Sequence, residues 1–222
     1  MLPSYRSQII TIREKLAKLV SEVVDAHNSI LEAYKTKNIS MFDEVKGILK
    51  SIQTEANVID NEIILTLSLF DIEEHELRLL ITYLKITNEL IRIGEGAKKY
   101  ARRMKAHCDS DCNLDSFSDV IIKLHSSSIS ALKFIEGCFS DYDEYDYENL
   151  YRCVMVEESK CNDLYSILEK DIHSRIIIEG ELSIEYVRVL STLRKLERAS
   201  EYAINITKLM IHSQEDGEIK SY

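Results

Sequence analysis

The sequence predicts an all-α protein made of two tandem three-helix antiparallel bundles of long helices. Three observations lead there. The 222 residues contain one proline, Pro3 at the extreme N-terminus, and six glycines. The chain therefore lacks the turn residues that β-sandwiches and barrels need every 8–12 positions or so. Apolar residues recur with a helical period over six segments, averaging roughly 30 residues against a globular mean of about 11–12. The second half of the chain also echoes the first.

The first segment runs from about Ser4 to Thr36, with Ile9, Ile12, Leu16, Val20, Val23, Val24, Ile30 and Leu31 on its apolar face. Asn38-Ile39-Ser40 reads as a turn, with Ser40 as N-cap and Asp43 placing negative charge in the next first turn. The second segment, about Met41 to Phe70, carries Val45, Ile48, Leu49, Ile52, Ala56, Ile59, Ile63 and Leu67 at helical spacing. The third, about Glu73 to Lys105, carries two stripes: Leu77, Leu80, Ile81, Leu84, Asn88, Ile91 and Glu95, and beside them Leu79, Ile86, Leu90, Ile93 and Ala97. The fourth covers about Leu114 to Glu136, with Gly137 as its C-terminal stop. The fifth, about Asp141 to Ile176, opens on an acidic, tyrosine-rich string that reads either as a solvated helix cap or as an acidic docking patch. Gly180 marks the break before the sixth, about Leu182 to His212, and the tail that follows is expected to fray.

Setting Arg92 against Arg198 aligns Leu84 with Leu190, Leu90 with Leu196, Glu95 with Glu201 and Ala97 with Ala203. Asn57-Val58-Ile59-Asp60 matches Ser159-Lys160-Cys161-Asn162 more weakly. A duplicated three-helix unit follows, with repeats at 1–109 and 113–222 and the boundary in the polar string around Asp109–Asn113. Gly94 and Gly96 flank Glu95, where a small residue allows close helix approach. Their spacing matches neither a P-loop nor a dinucleotide loop.

A net charge of −10 argues against sequence-independent nucleic-acid binding and against an anionic membrane surface. No apolar run is long enough to span a bilayer and no signal-peptide layout opens the chain, so a cytoplasmic location is expected. The five cysteines, an odd number, are expected to be reduced. His107, Cys108 and Cys112 have metal-like spacing, but no second Cys/His pair completes a site.

Glu197 and Glu201 lie four apart, on one helical face. Two carboxylates at that spacing repel unless positive charge lies between them. Either Arg194 or Arg198 balances them on a solvated face, or a cation does, completed from a neighbouring helix. Oxygen ligands suit iron, manganese, magnesium or calcium.

The strings Leu84-Lys85-Ile86-Thr87-Asn88-Glu89-Leu90-Ile91-Arg92-Ile93-Gly94-Glu95-Gly96-Ala97 and Leu196-Glu197-Arg198-Ala199-Ser200-Glu201-Tyr202-Ala203 resemble the signature of the PhoU family of phosphate-transport accessory regulators. That resemblance implies a cytoplasmic helical homodimer that negatively regulates phosphate uptake and the phosphate-starvation response. Its implied partners are the phosphate ABC transporter and a phosphate-sensing histidine kinase. It also implies iron or another divalent metal, such as manganese, magnesium or zinc, at paired acids four apart on the second and third helix of each repeat. Carried over position by position, the second repeat offers Glu158, Asn162, Glu197 and Glu201. The first offers only Asp60 and Glu95, because Ala56 and Ile91 fill the other two positions. Arg92 and Arg198 match the family's arginine and are expected to steady the carboxylates as ion-pair partners.

Two other functions fit the same residues. One is a helical scaffold with no ligand, suggested by the acids missing from the first repeat. The other is a carboxylate-bridged metal hydrolase or oxidase. Di-iron bundles use Glu-x-x-His on two helices, and none of the six histidines follows a glutamate at that spacing. No enzymatic activity is therefore expected.

Overall fold

Long amphipathic stripes must be buried against other elements, and most of the apolar positions meet in one continuous core. A computed structural model describes residues 3–140 and 145–214. These form α1 (Pro3–Thr36), α2 (Met41–Ile48), α3 (Ile52–Leu69), α4 (Glu74–Cys108), α5 (Ser118–Ser140), α6 (Tyr147–Ile178) and α7 (Ser183–Gln214). Short 3-10 turns at Asp115–Phe117 and Gly180–Leu182 precede α5 and α7. No strand occurs among the described residues.

Every apolar position expected on α1 is buried, and Ile12, Leu16 and Ile30 are fully so. Burying a side chain of that size is worth roughly 1.5–3 kcal/mol. Helix α1 ends in a left-handed residue, Lys37 at φ 54°. The Asn38 amide then donates back to the Ala33 carbonyl at 3.1 Å, which closes the helix end. Ser40 precedes α2 as expected, but its hydroxyl donates to Asn38 Oδ1 at 2.7 Å instead of capping the helix. Glu73 and Glu76 form a reciprocal capping box at the start of α4. Asp146 caps α6, accepting from the Asn149 amide at 2.9 Å.

Four expectations need correction. The second segment is two helices, α2 and α3, broken between Ile48 and Ile52. Gly47 weakens the helix there by about 1 kcal/mol relative to alanine, and the Lys50 and Ile52 amides donate three residues back, to Gly47 and Leu49. Helix α5 runs past Gly137 to Ser140. It continues because Cys138 and Phe139 are buried, and Arg13 of α1 donates to their carbonyls at 2.7 and 3.3 Å. Of the two stripes on α4, the one carrying Ile86, Leu90, Ile93 and Ala97 is buried, whereas Leu77 and Ile81 are exposed. Close approach belongs to Gly94 alone: an added Cβ there would overlap Ile52 Cδ1, while the space at Gly96 is open. Asp141, Tyr142, Asp143 and Glu144 of the acidic string, and the tail from 215 onward, lie outside the described residues.

Each repeat is a bundle, α1–α4 and then α5–α7, and the two share one interior. They join where repeat-related helices cross antiparallel: α1 against α5, and α4 against α7. Two copies of one motif that meet through like faces give an isologous contact, as about a twofold axis. On the α1–α5 seam, His27 Nδ1 lies 3.3 Å from His125 Nε2, with both rings fully buried. Burial pulls the His27 imidazole down to about 4 and the His125 imidazole well below its usual range. The proximity of His27 and the charge of Lys35 depress His125 further.

Two predictions follow from this packing. Urea unfolding of Gly94→Ala should show a loss of about 1 kcal/mol, the overpacking cost less the helix-propensity gain. Gly96→Ala should gain up to about 1 kcal/mol. For the histidine pair, the unfolded chain takes up protons below about pH 6.5 while the native rings stay neutral. Stability is therefore full above that pH and falls between about pH 6.5 and 4, by about 1.4 kcal/mol per pH unit for each such ring. The unfolding midpoint of His27→Gln, followed from pH 7.5 to 5, should fall less steeply than that of the parent.

Candidate functional site

The candidate residues lie on four helices that the fold sets side by side: α3 on α4, α4 on α7, and α7 on α6. In the first repeat, Asp60 on α3 accepts from the Thr87 hydroxyl of α4 at 2.7 Å, and burial raises its carboxyl above the usual range. Glu95 stands eight residues beyond Thr87 on α4, about 12 Å along the axis at 1.5 Å per residue. It pairs there with Lys98 at 2.9 Å. The structure does not bring Asp60 and Glu95 together: Asp60 meets α4 at Thr87, whereas Glu95 lines the α4–α7 cavity about two turns further along.

The second repeat holds its acids closer. Glu158 accepts from Asn162 Nδ2 at 2.8 Å on α6. Glu197 on α7 is buried, and its carboxyl is raised by burial and by the charges of Glu201 and Glu158, against the pull of Arg194 and Arg198. Its partner is Arg194, whose Nε lies 2.8 Å from Oε2 and whose guanidinium lies 5.0 Å from the centre of the Tyr165 ring. The Asn162 Oδ1 is buried without a hydrogen-bond partner among the described residues. No group of three or more His, Cys, Asp or Glu side chains among the described residues is placed to hold one metal ion. As folded, these side chains do not fit a shared metal: an arginine balances Glu197, and an amide donor occupies Glu158.

Arg92 and Arg198 do not hold the motif carboxylates as expected. Arg92 pairs with Glu89 at 3.2 Å and lies 5.9 Å from the centre of the Tyr202 ring, whereas Arg198 makes no ion pair among the described residues. Both face the α4–α7 seam, where they line a cavity of about 270 Å³ together with Lys99, Lys195, Glu95, Gly96 and Tyr202. Lys99 and Lys195 were not singled out by the sequence reading. The signal for one of them was the run Lys98-Lys99-Tyr100-Ala101-Arg102-Arg103-Met104-Lys105, basic within an acidic chain.

At the far end of the same seam His107 is committed to structure. Its Nδ1 lies 2.8 Å from Glu185 and its Nε2 lies 3.0 Å from the Thr192 hydroxyl. Cys108 and Cys112 are free, one exposed and one buried, and burial raises both thiols. The ring nitrogens that a metal would use are therefore already engaged.

One prediction tests the buried carboxylate. Arg194→Ala should strand Glu197 and cost about 1–3 kcal/mol in urea unfolding at pH 7. Because a carboxyl raised by burial gains stability as it protonates, the deficit relative to the parent should shrink on lowering the pH from 7 to 5. A pH-independent deficit would make Arg194 a packing residue only.

Comparison with known proteins places this geometry in context. Residues 16–104 match the profile of the PhoU domain. The chain is 22% identical to the phosphate-specific transport system accessory protein PhoU homolog 1 of Thermotoga maritima, over 98% of this chain and 92% of that protein. It is 23% identical to the Pseudomonas aeruginosa homolog, over 95% and 82%. Among solved structures, PhoU from Pseudomonas aeruginosa superposes with a TM-score of 0.75 at 21% identity, over 94% of this chain and 98% of that one. The phosphate transport system regulatory protein PhoU from Streptococcus pneumoniae superposes at 0.77 and 16% identity, over 98% and 100%.

Proposed function

We propose, on the premise that this chain belongs to the PhoU family, that it is a regulatory accessory protein of a phosphate transport system. In this reading it acts by docking, not by catalysis, and restrains phosphate uptake through the phosphate ABC transporter, its sensor kinase, or both. The observation that carries the reading is the end-to-end likeness to relatives that bear that accessory role in their names.

The fold supports a docking mode of action. No helix among the described residues is long and apolar enough to cross a membrane, so contact with a transporter falls to the surface of the bundle. The α6–α7 turn exposes Ile177, Ile178, Ile184 and Val187, and the α3–α4 turn exposes Leu65, Leu69, Leu77 and Ile81. These are the corresponding turns of the two repeats, 1–109 and 113–222, and clustered exposed apolar side chains are what protein contacts use.

The chemistry of the interior also favours a binding protein. Burial raises the Cys138 and Cys161 thiols to about 12, which makes them poor nucleophiles. His27 and His125 face each other in the core, and His107 bridges α4 to α7. A cytoplasmic homodimer belongs to the same proposal, and light scattering of the purified chain tests its oligomeric part.

Deletion of the gene should raise phosphate uptake and switch on phosphate-starvation genes in phosphate-rich medium. Uptake of labelled phosphate and a starvation-promoter reporter measure the two effects. If neither changes at any phosphate level, the regulatory role is wrong.

A further inference from the structure

We propose that the cavity between α4 and α7 is a binding site for a small multiply charged phosphate anion, either inorganic phosphate or the phosphate chain of a nucleotide. Four cations converge on it: Arg92 and Lys99 from α4, and Lys195 and Arg198 from α7. The one acid in the lining, Glu95, is paired with Lys98 at 2.9 Å. Arg92 is half committed, through Glu89. Lys99, Lys195 and Arg198 have no carboxylate within ion-pair distance among the described residues, although the chain as a whole carries a net charge of −10.

Like charges gathered without counterions oppose folding. Lys195 registers the repulsion: it is half-buried, and its ammonium is lowered by burial and by the charges of Arg103, Lys99 and Arg198. Nothing among the described side chains relieves this, and an anion in the cavity would. The donor set selects the class of ligand. Guanidinium forks match phosphate oxygens in pairs, ammonium groups supply point charges, and four cations call for an anion of charge −2 or more. The size agrees. At about 270 Å³ the cavity lies at the small end of ligand sites, so it takes a compact ion in preference to a macromolecular surface. Gly96 leaves the wall open, because an added Cβ there meets nothing within 4 Å. The site spans the repeat-related helices, so an occupant would tie the two repeats together at their seam.

The test is isothermal titration calorimetry and thermal unfolding of the full chain with phosphate, pyrophosphate and ATP, each against sodium chloride of equal ionic strength. At least one of the three should bind and raise the unfolding midpoint, with affinity falling as salt rises. Binding of phosphate or pyrophosphate identifies a free phosphate ligand, and binding of ATP alone identifies a nucleotide. Lys195→Gln should weaken binding at least tenfold, and Lys195→Gln with Arg198→Gln should abolish it. Both variants should be at least as stable as the parent without ligand, because repulsion is removed. No binding of any of the three at 10 mM, where ~10 mM exceeds any Kd of roughly 1 mM or tighter, overturns the proposal, and so does binding that the double variant retains. The proposal does not rest on the regulatory reading. A chain that binds phosphate while its deletion leaves uptake unchanged would refute that reading and keep this one.

Discussion

The antiparallel contact of α4 with α7 is the constraint on which the rest of the molecule depends. Each repeat has a helix with one stripe facing its own bundle and another that must be covered from elsewhere. The two repeats solve this problem for each other. Ile93 and Ala199 are buried at this seam, while Thr82 on α4 reaches the Leu209 carbonyl of α7 at 3.4 Å and Arg103 donates to the Ser191 hydroxyl at 3.2 Å. Helices α1 and α5 make the matching contact on the other side of the core. Neither half is expected to be stable alone, because separation would expose both stripes at roughly 25 cal/mol per Å² of apolar surface.

The same seam decides where charge can go. Of the motif acids, Asp60 accepts from Thr87 across the α3–α4 contact and Glu197 pairs with Arg194 on α7, whereas Glu95 lines the seam and pairs with Lys98. The motif arginines and the two lysines point into it. The seam therefore gathers four cations around one acid that Lys98 already answers. That arrangement separates the paired acids, which the fold neutralises locally, from a set of cations that it leaves without counterions.

Burial sorts the remaining ionisable groups into structural roles. Burial disfavours charge on either ring of the His27–His125 contact, so the α1–α5 seam is sensitive to acid. His107, by contrast, keeps both ring nitrogens satisfied at the far end of α4. Cys108, Cys112, Cys138 and Cys161 sit in surroundings that disfavour the thiolate. Among the described residues, the α3–α4 and α6–α7 turns each carry a cluster of exposed apolar side chains, while others such as Val156 and Ile167 lie mid-helix.

Much of the fold was legible in the residues themselves. Periodicity, the single proline and the tandem motif of Arg92 and Arg198 determine long helices in two repeats, because amphipathic spacing and the lack of breakers act locally along the chain. The acid pair Glu197 and Glu201 was legible for the same reason: residues four apart share a face of any helix. Tertiary structure alone decided the rest. It set the break at Leu49–Ser51, the extension of α5 past Gly137 under the Arg13 guanidinium, and which of two stripes on α4 is covered. It also decided that Arg194, not Arg198, answers Glu197, and that Arg198 joins Lys99 and Lys195 across a seam of residues nearly a hundred positions apart in sequence. Those outcomes turn on which faces meet, and the choice of meeting faces is a competition among all the helices for one shared core.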